Sequence, residues 1–80
     1  MTPQDIGRLI QQERQKKGWT QAMLGDRAGI SRQTISKIEQ GRWASVAMAS
    51  FYRMIAALDL EIDLVHVQRK RLWTPEELLE

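Results

Sequence analysis

Apolar residues recur at intervals of three and four over the first 58 positions, the spacing that lines one face of an α-helix. Ile6, Leu9 and Ile10 set the first such face, opened by Thr2 as N-cap with Pro3 at the first helical position and stopped by Gly18. A helix is expected over about 3–17, with Lys16 and Lys17 at its negative C-terminal end. Thr20 caps a second, short helix with Leu24 and Ala28 facing inward, and Gly29 supplies the left-handed residue that ends it. Ile30 follows as an apolar plug. Ser31 caps a third helix to about Gln40, with Ile35 and Ile38 inward and Gly41 beyond its end. Two short helices joined by a tight glycine turn make a helix-turn-helix. Ser45 is the expected cap of a fourth helix over about 46–58, whose Val46, Ala47, Phe51, Met54, Ile55 and Leu58 form a broad apolar face.

Beyond Leu58 the period drops to two. Asp59-Leu60-Glu61-Ile62-Asp63-Leu64 alternates acidic and aliphatic residues, the pattern of a half-buried strand. A lone strand leaves backbone donors and acceptors unpaired, so it is expected to pair with its own copy, antiparallel across a two-fold axis, through Leu60, Ile62 and Leu64. The alternative is that 59–64 simply prolongs the fourth helix. The expected division is a helix-turn-helix domain over 1–58, a dimerisation strand over 59–67 and a tail over 68–80. In that tail Thr74-Pro75-Glu76-Glu77 spells a capping box, and Trp73, Leu78 and Leu79 form either a partner site or a self-packed end. The fold class is therefore all-α, a bundle of four to five helices with one strand that pairs across a dimer.

Composition narrows the chemistry. The 80 residues contain no cysteine and one histidine, which excludes disulfides, Cys/His zinc sites and cysteine nucleophiles. No metal site and no cofactor are expected. Asp59, Glu61 and Asp63 share a strand face, but no glycine turn, histidine cluster or nucleophile accompanies them, so a solvated face is expected and no enzyme. His66 is expected to be a structural or surface residue. No apolar run approaches 18 residues and Met1-Thr2-Pro3-Gln4-Asp5 lacks the layout of a secretion signal, so the expected setting is the cytoplasm, away from membranes. Charge is uneven: residues 1–58 carry nine basic side chains against four acidic, residues 59–80 three against six. A basic body suits a polyanion.

Gly18-Trp19-Thr20-Gln21, Leu24 and the run from Ala28 to Gly41 closely resemble the helix-turn-helix of the Cro and phage-repressor family, the XRE type with its lambda-repressor-like bundle. The resemblance spans about residues 5–58. It implies that the third helix enters the major groove of double-stranded DNA, with Arg32 and Gln33 reading base edges and Ser31 and Ser36 secondary. Arginine matches guanine and glutamine matches adenine bidentately, which suits that role chemically. Gln21 matches a position that anchors to phosphate or braces the reading side chains. Thr34, Lys37 and Arg42 are expected at phosphates, with Lys16 and Lys17 as further candidates, and Arg27 as a candidate or a solvated charge. Arg14 and Glu39 match a structural pair. Where the family usually has alanine this chain has Gly25, expected to loosen the second helix by up to about 1 kcal/mol. Trp43 either covers the core edge or abuts the DNA backbone.

The strand together with Gly18-Trp19-Thr20-Gln21 resembles the HipB-type antitoxins. That resemblance implies a homodimeric repressor on a palindromic operator that regulates its own operon and binds a HipA-like kinase toxin. The alternative is a stand-alone phage or mobile-element regulator without a toxin.

Overall fold

Local chemistry starts each of the first three helices where the pattern placed them. The computed structural model describes residues 1–67, in which four helices follow one another: α1 (Pro3–Lys16), α2 (Gln21–Ala28), α3 (Arg32–Glu39) and α4 (Met48–Ala57). The expectations for Trp73, Thr74 to Glu77, Leu78 and Leu79 lie outside the described residues. A reciprocal capping box opens α1: the Thr2 hydroxyl accepts from the Asp5 N–H at 3.1 Å, and the Asp5 carboxylate accepts from the Thr2 N–H at 3.0 Å. Hydrogen bonding from the Thr2 backbone and then its side chain, aided by Arg8, holds the Asp5 carboxyl below the ordinary carboxylate range. Thr20 and Ser31 cap α2 and α3 by accepting from the N–H groups of Met23 and Thr34, each at 3.1 Å.

The turn between α2 and α3 depends on Gly29, whose φ of 72° lies in the left-handed region. Ile30 then donates its N–H to the Gly25 carbonyl at 2.9 Å, and the chain enters α3 at once. Ile10, Leu24, Ile35, Ile38, Met54 and Leu58 are almost wholly buried, so each helix contributes to one core. α2 packs on α3 and α4, and α1 on α3.

Two close approaches set this packing. A β-carbon on Gly7 would lie 2.5 Å from the carbonyl oxygens of both Ile38 and Glu39, so glycine lets α1 rest directly on the end of α3. A β-carbon on Gly25 would lie 2.7 Å from the Ile30 carbonyl oxygen. The family's usual alanine would therefore require a backbone shift here, and Gly25 brings α2 against the turn.

α4 begins later than Ser45 suggested. Val46 donates its N–H to the Trp43 carbonyl at 3.0 Å, which places Ala44 and Ser45 in a turn, and Ala47 takes the N-cap position without a side-chain bond. At the other end, Asp59 adopts φ 60°, its N–H reaches the Ala56 carbonyl at 3.0 Å and the Leu60 N–H reaches the Ile55 carbonyl at 2.8 Å. This paired closure is a Schellman stop, with Leu60 set against the core and Asp59 where glycine is usual. It keeps α4 from running on through 59–64. From Glu61 to Val67 the chain has neither helix nor ladder among the described residues. The strand expected there is one that forms only by pairing with a second copy, and no strand is present among the described residues.

Candidate nucleic-acid interface

α3 is eight residues long, about 12 Å at 1.5 Å per residue, and two-sided. Ile35 and Ile38 fix its inner side in the core, which turns Arg32, Gln33 and Lys37 to solvent and leaves Ser36 half-buried. These four residues and Arg42 line one shallow depression. Arg32 also borders a second with Thr20 and Gln21, so the exposed face of α3 continues onto the start of α2.

The hydroxyl-bearing residues of this face are occupied locally. Ser31 and Thr34 share a hydrogen bond between hydroxyls at 2.9 Å, and the Ser36 hydroxyl accepts from the Gln40 amide at 2.9 Å. Arg32 and Gln33 make no side-chain hydrogen bond among the described residues, which leaves their donors and acceptors turned outward. Gln21 is half-buried and gives its amide to Glu39 at 3.2 Å, a brace behind the face.

Glu39 is the centre of that brace. Its carboxylate receives Arg14 Nε at 2.7 Å and Nη2 at 3.0 Å, a bidentate pair in which the two side chains keep only 10% and 5% of their exposure. Arg14 Nη1 donates to the Trp19 carbonyl at 2.7 Å. One buried carboxylate thus ties α1, the start of α2 and the end of α3 together, fixing the exposed face of α3 against the rest of the bundle.

The basic side chains differ in how far their neighbours engage them. Lys16 pairs with Glu13 and Lys17 with Asp59, both at 3.1 Å, and the Arg27 guanidinium lies 4.4 Å from the centre of the Trp19 ring. Arg32, Lys37 and Arg42 form no ion pair among the described residues and are exposed on one side. Arg8 on α1 and Arg53 on α4 are likewise exposed and without an ion pair among the described residues, so what distinguishes Arg32, Lys37 and Arg42 is that they line one depression on and just after α3. Trp43 belongs to the core edge: its indole donates to the Ile38 carbonyl at 3.0 Å, and its ring sits 5.0 Å from that of Phe51.

Of the residues expected at a dimer contact, Leu60 is half-buried on its own domain, Ile62 borders an apolar depression with Trp43, Val46 and Phe51, and Leu64 is 91% exposed. The sequence reading did not single out Gly7 or the link from Lys17 to Asp59. A glycine inside a helical pattern signals a close approach, but the pairing across 42 positions had no local signature.

A family model described as helix-turn-helix matches residues 10–65. The antitoxin HipB of Escherichia coli is 29% identical over 63 residues, covering 79% of this chain and 70% of that protein. A protein of Halorubrum lacusprofundi assigned to HTH-type transcriptional regulation is 42% identical over 43 residues, covering 54% of this chain. The chain spans 13% of the length of that relative. The solved HipA-HipB-O2-O3 complex contains a chain that superposes with a TM-score of 0.75 at 26% identity, covering 85% of this chain and 94% of the other. The capped α2-turn-α3 unit, its buried arginine-glutamate brace and the match over most of the chain together establish that the protein belongs to the helix-turn-helix family.

Proposed function

We propose that the chain is a dimeric, sequence-specific DNA-binding repressor that serves as the antitoxin of a HipA-like kinase and regulates its own operon. The observation that carries the DNA reading is the outward face of α3, where Arg32, Gln33, Lys37 and Arg42 are exposed and three cations lack ion-pair partners among the described residues. In this reading α3 enters the major groove by its N-terminal end. Arg32 bonds guanine O6 and N7, Gln33 bonds adenine N6 and N7, and Ser31 and Ser36 reach neighbouring edges when their hydroxyls rotate. Lys37, Arg42, Thr34 and Gln21 meet or brace against phosphates and fix register. Two copies joined through 59–67 place two α3 helices in successive major grooves about 34 Å apart, so the operator is a palindrome and repression is steric.

The likeness to HipB and to the HipA-HipB-O2-O3 complex supports the antitoxin assignment. The Halorubrum relative favours a second reading, a transcriptional regulator without a toxin. Selection of bound duplexes from a random pool tests the DNA reading: a two-fold symmetric consensus supports it, and a pool that stays random defeats it. Co-purification of a HipA-like kinase encoded beside this chain separates the two readings, since a regulator without a toxin retains none.

A further inference from the structure

We propose that the ion pair of Lys17 with Asp59 is a positioning brace that fixes the direction in which residues 61–67 leave the domain. Through that direction it sets the half-site spacing that the dimer accepts. This rests on the DNA-binding dimer proposed above; it assigns Lys17 to Asp59 instead of to a phosphate, and Asp59 to the base of the joining segment instead of to the contact between copies.

Asp59 is the one non-glycine residue with positive φ among the described residues. At the stop of α4 a glycine would adopt this conformation with less strain, so the helix stop alone does not call for a carboxylate. The carboxylate supplies what glycine cannot, a contact to Lys17 Nζ at 3.1 Å. Lys17 is the C-cap of α1, and its ammonium also lies 5.3 Å from the centre of the Trp19 ring, whose face holds the Arg27 guanidinium at 4.4 Å. A cation-π ladder therefore joins the end of α1 and α2 to Asp59, just past the C-cap of α4. One position later the Leu60 N–H is bonded to Ile55 and its side chain rests on the core, whereas Leu64, Val65 and Val67 are exposed. The exit direction is thus decided at 59–60.

A small rotation there matters because the segment is a lever. Seven extended residues reach about 23 Å at 3.3 Å each, so a tilt of about 10° moves the far end by about 4 Å. One base-pair step is about 3.4 Å, so a tilt of that size shifts the preferred spacing between two α3 helices by about one step. The pair is too exposed to matter much for folding, which makes orientation the property it can influence.

The test uses duplexes built from the half-site that selection returns, one set with a single half-site and one with two half-sites whose spacer changes by single base pairs. Asp59→Asn keeps a residue that tolerates positive φ but removes the charge; Lys17→Gln removes the other charge, and Lys17→Arg keeps it. Asp59→Asn and Lys17→Gln are expected to bind the single half-site within about twofold of the parent while losing about three- to tenfold of the preference for the best spacer, as loss of one exposed pair in each copy allows. Lys17→Arg is expected to retain that preference. Unchanged spacer preference in Asp59→Asn and Lys17→Gln overturns the proposal, as does equal loss in Lys17→Arg and Lys17→Gln, or half-site affinity falling in step with spacing. A parent protein that binds no duplex, or binds without any spacer preference, refutes the DNA-binding dimer itself and the brace with it.

Discussion

Replacing Glu39 by Gln is the perturbation whose cost the structure defines best. The carboxylate is 5% exposed and receives three hydrogen bonds, two from Arg14 and one from Gln21. With glutamine in its place, the amide oxygen still accepts one Arg14 bond, but its NH2 turns a donor toward a guanidinium that has only donors, and the buried counter-charge is gone. Removing one partner of a buried pair costs about 3–5 kcal/mol, because a desolvated charge is left without its counterion. For a chain of 80 residues the whole stability is about 4–12 kcal/mol. At about 4–8 °C per kcal/mol, the midpoint should fall by at least about 12 °C in thermal melts followed by far-UV circular dichroism. Urea titration should give the same loss of free energy with little change in slope. The double variant Arg14→Met, Glu39→Leu removes both charges and should recover most of the loss, since an apolar pair of similar volume carries no desolvation penalty. A Glu39→Gln loss below about 1 kcal/mol, the range of exposed pairs, would show that this carboxylate does not hold the three helices together.

Gly7→Ala should destabilise the fold by about 1–3 kcal/mol in the same titration, because the new methyl meets the backbone at the end of α3 rather than a movable side chain. Asp5 has a lowered folded-state pKa, so its contribution is present above about pH 4 and is lost as the pH falls through the lowered value. The stability gap between the parent and Asp5→Ala should therefore narrow between about pH 6 and about pH 2; a constant gap would remove the capping carboxylate from the account. Leu64→Asp should give monomers in sedimentation without changing the monomer's far-UV spectrum, since Leu64 lies free of its own core. A dimer that survives this change would place the contact elsewhere.

The elements that were legible in the sequence are those fixed by neighbours in the chain. Thr2, Thr20 and Ser31 cap helices through residues three positions on, and Gly29 ends α2 through its own φ, so α1, α2 and α3 were read within about a residue. α4 was misread by two residues at its start because Trp43, held by the Ile38 carbonyl, draws Ala44 and Ser45 into a turn. The strand pattern misled at its first two positions for a related reason: Asp59 and Leu60 belong to the closure of α4, and an aspartate in the glycine position conceals it. In the candidate site, helical spacing is enough to show that burying Ile35 and Ile38 turns Arg32, Gln33 and Lys37 outward, whereas the DNA role expected of them came from the resemblance to the Cro and phage-repressor family. Which lysines are neutralised by partners did not, because Lys17 finds Asp59 only once the bundle is folded.

The central claim, that the outer face of α3 reads DNA, is tested most directly by comparing Arg32→Ala with Lys37→Ala on the selected operator and on single-base variants of it across a salt series. Arg32→Ala should cost about 1–3 kcal/mol and relax discrimination at one base position in each half-site. Lys37→Ala should weaken binding to all sequences alike and lower the salt dependence by about one charge per copy. Parent-like affinity, discrimination and salt dependence in both variants would contradict the assignment of α3 as the recognition helix.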